Sequence, residues 1–285
     1  MKFSAKSKLA AILLVLVFAT SLLGGCGGDK KEAAQSGEIQ GTVTASGSTA
    51  LLPLLKPGQE EFQKKNPKVT VNIAGGGSFT GMNQVASGAV QIGNSDVNIP
   101  AELKDAGLID HQVAVAPFVM VVNPDVTVDN LTQAQYVAIF TGKTTNWKEV
   151  GGKDQKITII HRPKSSGSRA TIAEIVLKGE AFTDNAVIQD SNGAVRAGIA
   201  STPGAIGYVD APYVDSSIKA LAYNGVKYTP ENVINHTYPV FAYEHMYTKG
   251  QPAGAVKAFL DYVMSKEFQE SFVEKNGFIP VTKMK

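Results

Sequence analysis

Cysteine and arginine are both scarce in this sequence of 285 residues. It contains one cysteine, Cys26, so a disulfide bond within the chain is excluded. It contains three arginines, Arg162, Arg169 and Arg196, and the formal net charge of the whole chain is only +2. Proteins that bind nucleic acid carry a basic excess, so the composition argues against a nucleic-acid partner. An arginine beside a Ser/Gly turn is more informative in such a sequence.

Long apolar segments are also missing, apart from a short one close to the N-terminus. The run from Leu9 to Phe18 is too short to span a bilayer comfortably. A basic end with Lys2, Lys6 and Lys8 precedes it, and small residues follow it. This order is typical of a signal peptide, so we expect residues 1–25 to direct export and to be removed. Losing three lysines and no acidic residue lowers the formal net charge from +2 to −1.

The cysteine lies directly after this segment, in the sequence Leu23-Gly24-Gly25-Cys26. This sequence resembles the bacterial lipobox, in which the cysteine becomes the lipid-modified N-terminus of the mature protein. A free thiol after an ordinary signal peptide is the alternative. Two or more acyl chains anchor a protein stably, so we predict a lipid-anchored protein of the cell envelope that faces the periplasm or the exterior. The polar residues 26–38 lack periodicity and are predicted to form a flexible tether.

The rest of the chain, from about Ile39, alternates strand-like and helix-like segments. This alternation is typical of an α/β protein with largely parallel sheets. The runs His111–Val122 and Tyr238–Tyr247 are predicted to be long strands. The one tryptophan, Trp147, lies in a loop; we interpret it as a packing residue, and an exposed contact for a partner is the alternative.

A small-residue turn at residues 162–168 is the most informative stretch of the chain. The β-rich run Lys156–His161 leads into it, and a helix with Ile172, Ile175 and Val176 on one face leaves it. The first N–H groups of a helix have no partner inside the helix, and the helix dipole attracts anions to that end. A strand, a Ser/Gly turn, a helix start and one fixed cation therefore predict a site for a tetrahedral oxyanion. The alternative is an ordinary helix capped by serine.

Two earlier segments repeat this pattern. Thr42–Thr44 is strand-like, and Ser48 or Thr49 is predicted to cap the helix that follows. Residues 75–81 separate a second strand from a second helix, and their glycines allow a ligand to approach the backbone closely; a flexible turn is the alternative. A third strand ends at Asp96, which by residue type alone is an ordinary turn former.

Taken together, these motifs resemble the phosphate-binding proteins of bacterial phosphate ABC importers. The match runs in family order from about Gly41 to the C-terminus. The motifs that carry it are Gly47-Ser48-Thr49, Gly77-Ser78, Asn94-Ser95-Asp96, the segment Ile139–Trp147, Arg162 with Ser166-Gly167-Ser168-Arg169, and Ala205-Ile206-Gly207-Tyr208. The segment around Trp147 is specific to this family and its near relatives, whereas the Ser-Gly-Ser turn alone is a weak signal.

The resemblance implies an α/β fold of two lobes, the type II periplasmic-binding fold, with the ligand cleft between lobes joined by two crossing strands. The candidates for these strands are the runs Val115–Val122 and Tyr238–Tyr247. One lobe would then hold residues 39–117 and 245–285, and the other residues 118–244. Phosphate would bind in the cleft, and the lobes would close on it.

The resemblance also implies which residues contact phosphate. They are Thr49, Ala50, Ser78, Asp96, Arg162, Ser166, Gly167 and Ser168. Ala50 would offer only its backbone N–H. The implied partners are an ABC permease pair and its ATPase, no cofactor or metal is implied, and we expect a monomer. Lys164 and Ser165 stand where some family members pair the arginine with a small polar or acidic residue.

Asp96 predicts which oxyanion binds. Near neutral pH phosphate still carries one or two protons, so a carboxylate can accept a hydrogen bond from its P–OH group, whereas sulfate carries no proton and would place its charge against that of Asp96. Like charges in a dry cleft cost several kcal/mol. We therefore expect phosphate. The alternatives are a receptor for sulfate, molybdate or tungstate, and a phosphate-sensing lipoprotein without a transport role.

An enzyme is the alternative from a different class. Ser166 and His161 could be considered as a nucleophile and its base, but no Gly-x-Ser-x-Gly turn surrounds the serine. His111, His236 and His245 lack the spacing of metal ligands. We expect no catalytic activity.

Overall fold

A computed structural model describes residues 38–284 of the chain. The strands are β1 (Gly41–Gly47), β2 (Val69–Gly75), β3 (Ile92–Ser95), β4 (Leu108–Val122), β5 (Asn130–Leu131), β6 (Thr158–His161), β7 (Val187–Ile188), β8 (Ala205–Asp210), β9 (Lys219–Ala220), β10 (Ala222–Tyr223) and β11 (Phe241–Lys249). The helices are α1 (Leu52–Lys65), α2 (Ser78–Ser87), α3 (Gln133–Phe140), α4 (Gly167–Ile175), α5 (Asn192–Ser201), α6 (Pro230–Ile234), α7 (Gly254–Val263) and α8 (Lys266–Phe268). The predicted signal peptide, Cys26 and all of the predicted tether except Glu38 lie outside the described residues.

Within residues 38–284, nine strands form one sheet in the order β2-β1-β3-β11-β4-β8-β6-β7, with β9 beside β4. The pairs β1–β2, β1–β3, β6–β7 and β6–β8 are parallel. The central strands differ, because β11 runs antiparallel to both β3 and β4, and β4 runs antiparallel to β8 and β9. The expectation of largely parallel sheets was therefore wrong for the middle of the sheet. Alternation of strands and helices does not reveal the direction of two long strands that return through the centre.

Strand β4 connects the two ends of this sheet. Its residues from Leu108 to Pro117 pair with β11, and its residues from Phe118 to Val122 pair with β8. This strand is buried on both faces from Val113 onwards, which explains its nearly continuous apolar sequence.

Two hydrophobic cores among the described residues flank this junction. One contains residues of β1, α1, β2 and α7 together with Ala114 and Ala116 of β4. The other contains residues of α3, β6, β8 and α4 together with Phe118 and Met120 of β4. A division into lobes of 39–117 with 245–285, and of 118–244, agrees with these cores and remains our proposal.

Helix α1 does not begin as expected. Its N-cap is Leu51, which makes no side-chain cap, so the prediction that Ser48 or Thr49 caps it was wrong. Ser48 Oγ instead accepts from the N–H of Ala50 at 3.0 Å, and Thr49 Oγ1 accepts from Asn192. An extra turn of chain therefore separates β1 from α1.

Trp147 is a packing residue, as predicted. It is 1% exposed and belongs to the core around α3 and β6. Its indole Nε1 donates to the carbonyl oxygen of Gly204 at 2.9 Å. The loop that carries it is thereby fixed to the segment before β8.

Among residues 38–284, none of the helices combines the length and the apolar character needed to cross a membrane.

Candidate functional site

The N-terminal ends of α2, α4 and α5 lie close to one another and to the turn after β1. The N–H of Phe79, in the first turn of α2, donates to the carbonyl oxygen of Ser165 at 3.1 Å. Asn192, the first residue of α5, donates its backbone N–H and its Nδ2 to Thr49 Oγ1 at 3.3 and 3.1 Å. The positive ends of these helix dipoles therefore share one small region.

Gly77 allows this close approach. It has φ of 91°, in the region that favours glycine, and a Cβ at this position would lie 2.5 Å from the carbonyl oxygen of Ser165. The Gly-rich segment before α2 is therefore a specific packing surface. The sequence alone left a flexible turn as the alternative.

Asp96 links two of the turns. Its backbone N–H donates to Ser78 Oγ at 3.0 Å, and its Oδ2 accepts from Ser168 Oγ at 2.8 Å. The residue is 3% exposed, and its other carboxylate oxygen, Oδ1, has no hydrogen-bond partner among the described residues. A buried acceptor thus remains available beside the starts of α2 and α4.

Arg162 supplies the positive charge. It follows β6, is 1% exposed, and donates from Nη2 to the carbonyl oxygen of Asp190 at 2.8 Å. Nε and Nη1 have no hydrogen-bond partner among residues 38–284. A buried cation with unused donors is costly unless an anion compensates it.

The backbone of Arg162 is held by the neighbouring residues. Its N–H donates to Tyr208 Oη at 3.3 Å, and its carbonyl oxygen accepts from Arg169 Nη1 at 2.7 Å. The Arg169 guanidinium stacks over the ring of Phe182, 4.6 Å from its centroid. Arg169 therefore supports the position of Arg162.

Comparison with known proteins identifies the family. The PBP superfamily domain matches residues 32–267. The phosphate-binding protein PstS of Bacillus subtilis (strain 168) is 45% identical over 291 residues, which cover 98% of this chain and 96% of that protein. The chain belongs to the PstS family of phosphate-binding proteins.

Solved structures agree with this assignment. A structure from Clostridium perfringens with bound phosphate, described as a phosphate ABC transporter substrate-binding protein, superposes with a TM-score of 0.81 at 35% identity and covers 85% of this chain and 100% of that chain. An ABC-type phosphate transport receptor from Vibrio cholerae has a TM-score of 0.69 at 26% identity, covering 83% of this chain and 99% of that one. The fold is therefore the two-lobed periplasmic-binding fold, as the sequence predicted.

Residues that the sequence assigned to phosphate in this PstS-family member lie together in the structure. All of them except Gly167, which has no side chain, are between 0% and 4% exposed: Thr49, Ala50, Ser78, Asp96, Arg162, Ser166 and Ser168. Gly167 packs against Ser78, since a Cβ at Gly167 would lie 2.3 Å from Ser78 Oγ. The role of each residue toward a ligand remains a prediction.

Most of these residues already use a polar group within the protein, and Ala50 and Ser166 are among them. The N–H of Ala50 donates to Ser48 Oγ, and Ser166 Oγ accepts from the N–H of Arg169 at 3.2 Å and so caps α4. Gly167 and Ser168 are the first residues of that helix, where N–H groups have no partner inside it.

Sequence reasoning missed further buried polar residues of this region. Asn192, Asp210 and Glu244 are each 0% exposed, and Tyr213 donates from Oη to the carbonyl oxygen of Thr49 at 2.6 Å. The Ser-Asn-Gly turn before α5 was a signal for Asn192. No local pattern marked Asp210 or Glu244, which end or interrupt apolar strands.

The enzyme alternative required contact between Ser166 and His161. The ring nitrogens of His161 face the carbonyl oxygens of Arg162 and Thr183 and Nη1 of Arg169, and the described hydrogen bonds include none to Ser166. Burial lowers the pKa of His161, which favours a neutral ring that accepts from Arg169. This geometry does not activate the serine.

Proposed function

We propose that this protein binds inorganic phosphate between the starts of α2, α4 and α5 and delivers it to an ABC importer. The observation that carries the proposal is the pairing of a buried cation with unused donors, at Arg162, with a buried unused acceptor, at Asp96 Oδ1. Phosphate carries negative charge and a P–OH group, so it satisfies both. Membership of the PstS family and the phosphate-bound relative from Clostridium perfringens support the same ligand.

The neutral donors of the site suit a fully enclosed anion. N–H groups at helix starts and the hydroxyl groups of Thr49 and Ser78, which act only as acceptors within the protein, can donate to the ligand oxygens without adding full charges. Arg162 contributes charge-assisted hydrogen bonds, which are about twice as strong as neutral ones. We infer that the lobes close on the anion, since a nearly unexposed site cannot admit it otherwise.

The proposal includes the place and the partners of the protein. Receptors of ABC importers work outside the cytoplasm, so we place this chain there, anchored through lipid on Cys26. It would act as a monomer that contacts an ABC permease pair, whose ATPase lies on the other side of the membrane. The relatives are transport receptors, and we propose no enzymatic role.

A calorimetric titration of the purified full-length protein tests the ligand. We expect binding of phosphate and no measurable heat with sulfate. A heat of binding with sulfate or molybdate, and none with phosphate, would assign the site to another oxyanion. Loss of phosphate uptake when the gene is deleted separates transport from a purely sensory role.

Substituting Gly167 by Ala tests closure around the ligand. The added Cβ would lie 2.3 Å from Ser78 Oγ and 2.8 Å from Ser78 Cβ, so the two turns must separate. Overpacking of this kind costs about 1–3 kcal/mol, and we expect the Kd for phosphate to rise about 5- to 150-fold in calorimetry.

Gly193→Ala is the matched control for this substitution. Gly193 also lies in the first turn of a helix, and its added Cβ would meet only Tyr213 Cε1 at 3.9 Å. We expect its Kd to change by less than about twofold. An unchanged Kd in Gly167→Ala would mean that phosphate binds without this contact.

A further inference from the structure

Two carboxyl groups of the region have no assigned role. Asp210 and Glu244 are each 0% exposed, and neither carboxyl oxygen of either residue has a hydrogen-bond donor among the described residues. Charged carboxylates in such a position are expensive unless they are paired or protonated. If all three carboxyl groups were ionised, Asp96, Asp210 and Glu244 would place three negative charges near the single positive charge of Arg162.

The sheet places both groups beside β4. Glu244 of β11 is the register partner of Ala114, and Asp210, the last residue of β8, is the partner of Phe118. Residues four apart on a strand share a face, and partners across an antiparallel pair lie on the same face. Glu244 and Asp210 therefore approach one face of β4 from its two neighbouring strands.

Glu244 also lies close to Asp96, the residue that is proposed to select phosphate over sulfate. His245 of β11 is the register partner of Ser95 at the end of β3, so the same antiparallel register brings Glu244 next to Asp96, and the two carboxyl groups interact. Two carboxyl groups in contact form a hydrogen bond only when one of them carries a proton. Without that proton the contact would be a buried repulsion.

The surroundings of Glu244 favour the protonated form of its carboxyl group. Burial, followed by the charges of Asp96 and Asp210, raises the pKa of Glu244 well above its ordinary value. Burial and Asp96 likewise raise the pKa of Asp210, which Arg162 only partly opposes. On β11 itself, His245 is hydrogen-bonded to Asp110 of β4 at 2.8 Å, and Tyr247 donates to the carbonyl oxygen of Val97 at 3.1 Å.

We propose that Glu244 is a protonated carboxylic acid that donates to Asp96 and so positions the acceptor that selects phosphate. The proposal rests on the proposed function for its effect on binding. A neutral Glu244 leaves one carboxylate charge at the ligand and holds it in place. An ionised Glu244 would add a second negative charge against phosphate and remove the donor.

Glu244→Gln tests this role through the pH dependence of phosphate affinity. The glutamine amide can donate to Asp96 but cannot ionise. We expect the Kd of the full-length variant at pH 6 to stay within about threefold of wild type, because one donor replaces another. As pH rises through the pKa of Glu244, wild type should lose affinity relative to the variant by up to about tenfold per pH unit. The ionisation of phosphate is common to both proteins and cancels in the ratio.

Further variants separate this role from a passive one. Glu244→Ala removes the donor and should weaken binding at every pH by about 10- to 150-fold. Glu102→Gln, at an exposed site, removes the same charge and should leave the pH profile unchanged. Much tighter binding by Glu244→Gln at pH 6 would mean that Glu244 is ionised in wild type and would overturn the proposal. Equal pH profiles for wild type, Glu244→Gln and Glu244→Ala would overturn it as well.

The protonation of Glu244 can be measured without phosphate, so this test does not depend on the proposed function. The infrared difference spectrum of wild type minus Glu244→Gln at pH 7 should contain the carbonyl band of a protonated acid. A difference made only of ionised carboxylate bands would contradict the proposal. If the acid band is present and phosphate does not bind wild type, the proposed function fails and the protonation of Glu244 stands.

Thermal unfolding at a series of pH values tests the direction of the pKa shift of Glu244. The pKa of Glu244 is higher in the folded protein than its ordinary value of 4.5, so folding takes up a proton between these values. Wild type should therefore lose stability as pH rises from about 4.5 to the folded pKa, relative to Glu244→Gln. A Tm difference between the two proteins that is constant over this window would contradict the raised pKa.

Discussion

Replacing Arg162 by Gln should abolish most of the phosphate affinity of this protein. Arg162 is 1% exposed, and among residues 38–284 only its Nη2 has an acceptor, the carbonyl oxygen of Asp190. Truncating one partner of a buried, hydrogen-bonded charge pair costs about 2–5 kcal/mol, so we expect the Kd from calorimetry to rise about 30- to 5,000-fold.

The stability of the ligand-free protein distinguishes binding from structure in this variant. A buried guanidinium with two unused donors carries a desolvation cost, so its removal should leave the ligand-free Tm unchanged or higher. A purely structural arginine would instead lower the Tm. Wild-type affinity in Arg162→Gln would remove Arg162 from the site.

Arg196→Gln is the matched control. Arg196 is 40% exposed in its side chain and pairs with Asp215 at 3.0 Å on the surface. Exposed ion pairs contribute about 0–1 kcal/mol, so the Kd should change by less than about fivefold. The comparison holds the residue type constant and changes only its burial.

Replacing Asp96 by Asn should admit sulfate. The carboxylate of Asp96 can accept a hydrogen bond from a P–OH group of phosphate, but it repels an anion that has no proton to donate. An amide removes the charge and can donate to the ligand, so we expect the affinity for sulfate to rise about 10²–10³-fold, since like-charge contacts cost several kcal/mol. Affinity for phosphate should fall about tenfold, because a neutral acceptor replaces a charged one.

Paired titrations with sulfate and phosphate measure this change. Asp154→Asn serves as the control, since Asp154 lies on the surface with a side chain 72% exposed and pairs with Lys148. It should leave both titrations as in wild type. Continued exclusion of sulfate by Asp96→Asn would show that the shape of the site, and not the carboxylate, rejects it.

The helix starts of the site could be predicted from local sequence. Ser166-Gly167-Ser168 after β6 begins α4, and Gly77-Ser78 after β2 begins α2, in both cases as expected. These signals are local because capping, glycine conformation and apolar periodicity involve residues a few positions apart. The start of α1 was misplaced for the opposite reason. Thr49 contacts Asn192, a residue 143 positions away, and is therefore not a cap.

The identity of the charged residues was also readable from the sequence. With three arginines in the chain, one beside a Ser/Gly turn was conspicuous, and Asp96 followed from the family resemblance. The hydrogen bonding of Arg162 and Asp96 in the folded protein could not be predicted from the sequence. That Arg162 keeps unused donors and Asp96 keeps an unused oxygen depends on what surrounds them after folding.

The sequence by itself determined the alternating elements, the turns that begin the helices and the family. Tertiary structure decided which of those turns meet, and it brought Asp210 of β8 and Glu244 of β11 to the same face of β4 near Asp96. The reason is physical. Helix starts are encoded by neighbouring residues, whereas the protonation and partners of a buried carboxyl group are set by burial and by charges that only the register of distant strands brings together.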